Sequence, residues 1–392
     1  MQAPPDPTAP TAQPLFPSFD ALETVIWPGV ALAVFVLTAV LVDTMIVLAA
    51  RWRLVDLPNR RSAHALPTAR GGGVAIVGMT VLAAVAVILR WPPDALKVVC
   101  GVCIPSLAIA GVGIADDVRP LDAKLRLAIQ IAVAVVMTAV LGPIGSIEVP
   151  GLPTFHLGPA GWPLTILWIV GMTNAFNFMD GSDGMAATAA VVGGVGLATL
   201  GLVTGCNMPL LLAAFAGAAA GGFLVFNWQP ARIFMGDVGS AFLGTFLAAI
   251  PLVFPELKRP MVLVPAVLCL WPAIFDPFVT VIRRIASGAN PLVPHREFFF
   301  HRLVRSGTTH ATVALLYGML AAVGGIAGAL MLVPAVPEIV RSGAPLAAVV
   351  LAGWLAWTTE RTFAASAAGR EAAAARITTT ATTTTTSTAD PN

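Results

Sequence analysis

The amino-acid sequence predicts an all-α, polytopic integral membrane protein of about eleven transmembrane helices, or ten if the short fifth segment is not a span. Three observations lead there. Charged residues make up only 11% of the chain, where soluble domains carry roughly 25%. Hydrophobic residues reach 57% and the mean hydropathy is +0.86. Apolar runs of roughly 17–25 residues, the length needed to cross a bilayer, recur along the whole chain. The formal net charge is +2 and there is no basic, aromatic-interleaved patch, so nucleic acid is excluded as a partner and the lipid bilayer is the expected surrounding.

Taken in order, residues 1–24 are rich in Pro and Ala and lack a basic n-region, so they read as an extracytoplasmic tail rather than a cleaved signal. The apolar runs then fall near 25–50, 71–90, 96–115, 125–142, 161–176, 185–204, 209–226, 239–255, 261–282, 310–333 and 343–359. Together they define one integral domain, 25–360. Residues 361–392 end in a Thr-rich, low-complexity stretch that cannot build a core, and read as a cytoplasmic tail. Cys100 and Cys103 have CxxC spacing but sit in an apolar run with no second pair, which suits packing better than zinc or redox chemistry.

An odd number of spans puts the termini on opposite sides. Of the 22 Lys and Arg residues, only Arg90, Lys97, Lys258, Arg259 and Arg341 fall in segments that share a side with the N-terminus. The positive-inside rule therefore sets the N-terminus outside and the C-terminus inside. Five polar motifs then all come out on the inner face: Arg70–Gly73 (RGGG), Asp116–Asp117, Asn174–Gly184 (NAFNFMDGSDG), Met235–Ser240 (MGDVGS) and His295–Leu303 (HREFFFHRL). Most of their residues are neutral or acidic, so the charge count did not force this agreement. The outer loops are bland by comparison; 143–160 carries only Glu148 and His156 as ionisable groups.

Each motif has a chemical reading and a plainer one. Asp116 and Asp117 repel each other and suit a nearby cation such as Mg²⁺, or they are an acid pair ending a helix. Lys124 and Arg126, just beyond them, can reach a lipid phosphate or anchor the inner leaflet. Asn174, Asn177 and Asp180 stand at i, i+3 and i+6, which turns them towards one helix face, and Asp183 opens the next helix, where the dipole favours an acid. Amides and carboxylates at fixed spacing suit recognition of a base or sugar. Asp237, between Gly236 and Gly239, can approach a metal and a diphosphate, or cap a helix. Arg70, Gly72 and the neighbouring glycines make a phosphate cradle at a helix N-terminus, or allow close helix packing. Asp276 reads as a ligand or as an intramembrane acid paired with an arginine. His295, Arg296, His301 and Arg302 lie in a long loop and offer donors to a phosphate.

In this order the motifs resemble those of the polyprenyl-phosphate N-acetylhexosamine-1-phosphate transferases, glycosyltransferase family 4. The resemblance covers roughly residues 50–310. DLPNRRSAHALPTARGGG is similar to the family's first cytoplasmic loop, Asp116–Asp117 to its aspartate pair, and NAFNFMDGSDG to its nucleotide-site motif. MGDVGS is similar to its GDxGS metal motif and HREFFFHRL to its basic loop. The resemblance implies transfer of a sugar-1-phosphate from a UDP-sugar to undecaprenyl phosphate or another polyprenyl phosphate, releasing UMP, at the cytoplasmic face of a bacterial plasma membrane. It implies Mg²⁺, for which Mn²⁺ can substitute, held by Asp237 and Asp117, with Asp116 or Asp117 in proton transfer. Asn174, Asn177, Asp180 and Asp183 would bind the nucleotide sugar. His295, Arg296, Lys124, Arg70 and Gly72 would serve the phosphates. The chain departs from the pattern at Phe298, where the family commonly has a further His, and its loop is more similar to the branch that initiates surface polysaccharides. A homodimer is compatible with this reading. An ion-coupled transporter would instead carry midplane charges in broken, repeated helices, and an intramembrane aspartyl protease would face two aspartates across helices.

Overall fold

The computed structural model describes residues 20–52, 55–56, 68–91, 94–288 and 297–386. All eleven apolar runs are helical. The first opens with a reciprocal cap, Asp20 and Glu23 each accepting the other's N–H, which sets its start as a capping box does. It forms α1 (Glu23–Trp52), followed by α2 (Gly73–Arg90), α3 (Asp94–Val118), α4 (Ala123–Leu141), α5 (Gly161–Met179) and α6 (Met185–Thr204). Then come α7 (Asn207–Asn227), α8 (Asp237–Val253), α9 (Arg259–Ala286), a short α10 (Phe299–Arg305), α11 (His310–Leu332) and α12 (Glu338–Thr386). Among the described residues nine helices are long and apolar enough to cross a membrane; α5 and the 17-residue α8 are not among them. The protein is a polytopic, helical membrane protein.

Burial sorts the helices. From Val238 to Val253 every residue of α8 is buried, and the helix packs against α3, α5, α2 and α7. At the other extreme α1 and α12 leave Leu32, Val36, Val40, Val349, Val350 and Trp354 exposed, as helices facing lipid do. The central helix thus has no lipid face, which frees its ends for polar neighbours.

Two features depart from the sequence expectation. Short strands are present: β1 (Val55–Asp56) pairs antiparallel with β2 (Thr68–Arg70), which pairs parallel with β5 (Ile233–Phe234), while β3 (Ser146–Ile147) and β4 (Phe155–His156) form a separate hairpin. Strands of two or three residues are too short to leave a period-2 pattern. The second is that α12 continues as a helix to Thr386, through an Ala-rich stretch of high helix propensity.

Candidate active site

The site is built around the first turn of α8. Gly236 adopts φ +75°, ψ 169°, and a Cβ there would stand 2.5 Å from Asp117 Oδ2. Only glycine lets the chain turn into α8 directly over that carboxylate. Asp117, in the last turn of α3, accepts the N–H of Asp237 on Oδ1 (3.1 Å) and of Val238 on Oδ2 (3.4 Å). α8 has no side-chain cap of its own, so an acid from another helix satisfies two of its orphan donors. The approach is close because Gly113 has no side chain: a Cβ on it would lie 2.6 Å from the Asp237 carbonyl.

The β2–β5 pairing sets Arg70 opposite Phe234, two residues before the α8 turn, and the Arg70 guanidinium reaches Asp117 Oδ1 at 2.8 Å. Arg126, from the first turn of α4, pairs with Asp116 at 2.5 Å and with Asp237 at 3.5 Å. Asp116 also accepts the Leu121 N–H at 2.6 Å, and its carboxyl adjoins that of Asp237. Asn177 donates to Ser240 Oγ at 3.3 Å and hydrogen-bonds Asp237. Asp180 lies just past α5. Burial pushes its carboxyl well above the usual carboxylate range, and the charges of Asp237 and Asp117 push it further, against the pull of Arg70 and the Gly236 N–H. Four carboxyl groups, two guanidiniums and one amide therefore meet at one end of the bundle, contributed by helix termini and, for Arg70, by the end of β2.

Other residues named from sequence lie apart from this cluster. Asn174 spends its amide on Gln130 Oε1 (2.7 Å) and the Val170 carbonyl (2.8 Å), tying α5 to α4. Asp183 accepts the Ala231 N–H at 3.1 Å. Lys124 is exposed on the first turn of α4. The Gly72 and Gly73 N–H groups donate to the carbonyls of Phe234 (3.0 Å) and Met235 (2.9 Å), and a Cβ on Gly72 would come within 2.5 Å of the Phe223 ring. The glycine run here extends a strand pairing and permits close packing. His295 and Arg296 lie outside the described residues.

Sequence reasoning missed one pair and the partners of two residues that it named. Arg126 was read against a lipid phosphate, not as the bridge between Asp116 and Asp237. Ser182 Oγ and His310 Nδ1 meet at 2.7 Å, joining the DGSDG turn to α11. Asp276 is neither metal-facing nor arginine-paired; its carboxylate accepts from Phe299, Phe300, Tyr317 and Thr280. The signal in each case was a lone polar residue whose partner is remote in sequence.

The cluster's donor chemistry suits a hard divalent cation, since Asp116, Asp117 and Asp237 offer oxygens only. As they stand, no three acidic, His or Cys groups among the described residues converge to hold an ion; the arginines neutralise them instead. Mg²⁺ usually takes one or two carboxylates together with substrate phosphates and water. The donor set therefore fits a cation that arrives with a diphosphate better than one held by the protein alone.

The chain matches the family model described as glycosyl transferase family 4 over residues 99–254. It is 33% identical over 291 residues, 73% of this chain and 80% of the relative, to a Bacillus subtilis protein named probable undecaprenyl-phosphate N-acetylglucosaminyl 1-phosphate transferase. It is 33% identical, over 69% of this chain and 73% of the relative, to a decaprenyl-phosphate N-acetylglucosaminephosphotransferase of Mycolicibacterium smegmatis. A phospho-N-acetylmuramoyl-pentapeptide-transferase of a Synechococcus species is 36% identical over 43% of this chain and 50% of its own.

Proposed function

The chain belongs to glycosyl transferase family 4, and from that premise we propose that it transfers a sugar-1-phosphate, of the N-acetylhexosamine type, from a UDP-sugar to undecaprenyl phosphate or a related polyprenyl phosphate. The products are a polyprenyl-diphospho-sugar and UMP, and the reaction starts a surface polysaccharide or another cell-envelope glycan. A phosphate oxygen of the lipid attacks the sugar-bearing phosphorus; the bridge between the two phosphorus atoms breaks, and UMP leaves with the bond's electron pair.

The observation that carries this reading is the meeting of Asp116, Asp117, Asp180, Asp237, Asn177, Arg70 and Arg126 at one end of the bundle. A lipid phosphate and a soluble nucleotide can meet only at a membrane surface, and there the site is cytoplasmic in the N-out, C-in orientation with eleven spans. A bound Mg²⁺ would neutralise diphosphate charge and steady the departing UMP. Asp237 and Asp117 would hold it, and Arg126 and Arg70, which pair with the acids of the cluster, would serve the phosphate oxygens. Asp116 or Asp117 accepts any proton the lipid phosphate carries. Asn177 and Asp180, with Asp183 on the following turn, hold the nucleotide sugar.

The test is transfer of radiolabel to extractable lipid by purified protein given undecaprenyl phosphate and a panel of UDP-sugars. Label in lipid with stoichiometric UMP is the expected result. No transfer from any UDP-sugar, with Mg²⁺ or Mn²⁺ present, would overturn the reading.

A further inference from the structure

Asp276 is a buried acid that this chemistry does not use. It sits within α9, between Pro272 and Pro277, with none of its surface exposed. An acid so placed in a membrane helix is costly unless its oxygens are fully engaged. They are: Oδ1 accepts the Phe299 N–H at 2.7 Å and the Thr280 hydroxyl at 3.2 Å, and Oδ2 accepts the Phe300 N–H at 3.1 Å and the Tyr317 hydroxyl at 2.6 Å.

The reason lies in α10. This seven-residue helix begins after Phe298, which has no side-chain oxygen and makes no cap. Its first two N–H groups belong to buried residues, Phe299 and Phe300, and would be orphaned in an apolar setting at a cost of about 1–3 kcal/mol each. Asp276 supplies from α9 the acceptor that the local sequence lacks.

Where α10 then stands matters to the site. Phe298 stacks on Phe178 (5.4 Å) of α5, and Phe299 stacks on Phe275 (5.8 Å) of α9. The Phe300 and His301 rings lie 4.1 Å apart. His301 Nε2 comes within 3.3 Å of the position a Cβ on Gly181 would take. Outside, Glu360 of α12 takes Arg302 at 2.6 Å and Arg283 at 2.5 Å. His301 is thus pressed against the Asp180–Gly184 turn, one residue from Asp180.

We propose that Asp276 is a positioning residue: by capping α10 from within α9 it fixes His301 against the Asp180–Gly184 turn, and so sets the affinity of that turn for the nucleotide sugar. The proposal rests on the nucleotide role read for that turn above. Asp276→Asn keeps the volume but turns an NH₂ group towards one of the two backbone donors.

The experiment measures two things on the full-length, purified protein. Hydrogen exchange at the Phe299–Arg302 amides reads the cap directly and needs no substrate; Asp276→Asn should lose protection there by tenfold or more, with helices α3 and α8 unchanged, on the order expected for a local opening. Steady-state kinetics with UDP-N-acetylglucosamine, or whichever UDP-sugar the panel selects, should show KM raised about tenfold or more, with kcat within about threefold and the Mg²⁺ dependence unchanged. A merely structural role would lower the folded fraction, and with it kcat, while KM stayed put; that outcome overturns the proposal, as does unchanged exchange. Should Asp276→Asn not fold, Tyr317→Phe carries the same test, because it removes one donor and leaves both oxygens for the backbone. It should raise KM about two- to fivefold, and an unchanged KM overturns the proposal. A wild-type protein that uses no UDP-sugar overturns the functional reading instead, while the exchange result still decides whether Asp276 holds α10.

Discussion

Asp117 of α3 accepts the first two N–H groups of α8, and at the other end of the same helix Arg259 of α9 donates to the Leu252 (2.7 Å) and Phe254 (3.3 Å) carbonyls. Both ends of the buried helix are closed by a charged side chain from a neighbour, an acid at the positive end of the dipole and a base at the negative end. Arg259 also takes the carbonyls of Leu141 (3.0 Å) and Pro143 (3.4 Å), and next to it Lys258 Nζ takes the Thr204 carbonyl at the end of α6. The far end is sealed: Arg259 is 8% exposed and its guanidinium faces carbonyls. The site end is not. Arg126 and Arg70 are 36% and 46% exposed, and the three acids Asp116, Asp117 and Asp237 share these two arginines. A buried charge at a helix end is therefore no sign of function by itself. What marks the site is a surplus of acid, half-buried, whose arginine partners reach solvent.

If that distinction holds, substitutions at the two ends should separate turnover from stability. The largest effect on turnover should come from Asp237→Asn. Asp237 caps nothing and serves only the open cluster, so its loss should lower kcat by about a thousandfold or more while leaving the thermal midpoint in detergent nearly unchanged, because an amide is a poor ligand for a hard cation. Excess EDTA should do the same to the unaltered protein, and added Mg²⁺ should restore it. Near-normal UMP release from either preparation would remove the metal from the reading.

Asp117→Asn comes next, and it sharpens the comparison because Asp117 does both jobs. One amide cannot accept both α8 N–H groups and still pair with Arg70. Turnover should fall about a hundredfold or more, and stability should fall by about 1–3 kcal/mol, measured by thermal unfolding of the same preparation. UMP binding by calorimetry should persist. Asp183→Asn, away from the cluster, should instead weaken UMP binding and spare the midpoint.

The acids were legible in the sequence because carboxylates beside apolar runs are costly and stand out. Their partners were less so. Arg126 is separated from Asp116 by the α3–α4 turn and from Asp237 by the rest of α4 and by α5, α6 and α7, and no local pattern joins them. Asn174 shares a helix spacing with Asn177 and Asp180, yet it turns to Gln130 of α4; spacing gives a face, and tertiary packing decides what that face meets. The glycines of Arg70–Gly73 read equally as a phosphate cradle or as packing, and the pairing with β5 that occupies two of their N–H groups arises from strands too short to register. Asp276 was misread for a related reason. A seven-residue helix without a cap of its own leaves no periodic trace, so the need that Asp276 meets is invisible until α10 is seen.

A milder break in the site end is Gly236→Ala. It adds strain at a positive φ and drives a methyl towards Asp117 Oδ2, 2.5 Å from where it would sit. Turnover should fall about ten- to a hundredfold as Asp117 and Asp237 shift apart. Stability should fall by about 1–2 kcal/mol. A Gly236→Ala protein as active as the unaltered one would mean that the α8 turn tolerates a different Asp117 position, and that the cap is not what aligns the acids.

The smallest effect on chemistry should come from the end where charge is sealed. Arg259→Met keeps much of the side-chain length in an apolar setting but leaves the carbonyls of Leu141, Pro143, Leu252 and Phe254 without their donor. Some of these retain helix or water partners, so the stability loss should be about 2–4 kcal/mol rather than the sum of four lost bonds. The thermal midpoint should drop clearly. The kcat and KM of the protein that remains folded should change by less than about twofold, since α8 is pinned at its other end by Asp117 and the acids lie a helix length away. Active-site titration with a tight-binding nucleotide analogue would supply the folded fraction needed for that comparison. If Arg259→Met instead depressed kcat per folded molecule as strongly as Gly236→Ala, the two ends of α8 would be mechanically coupled. The sealed end would then be part of the catalytic apparatus, and the contrast between a structural and a functional helix terminus would fail.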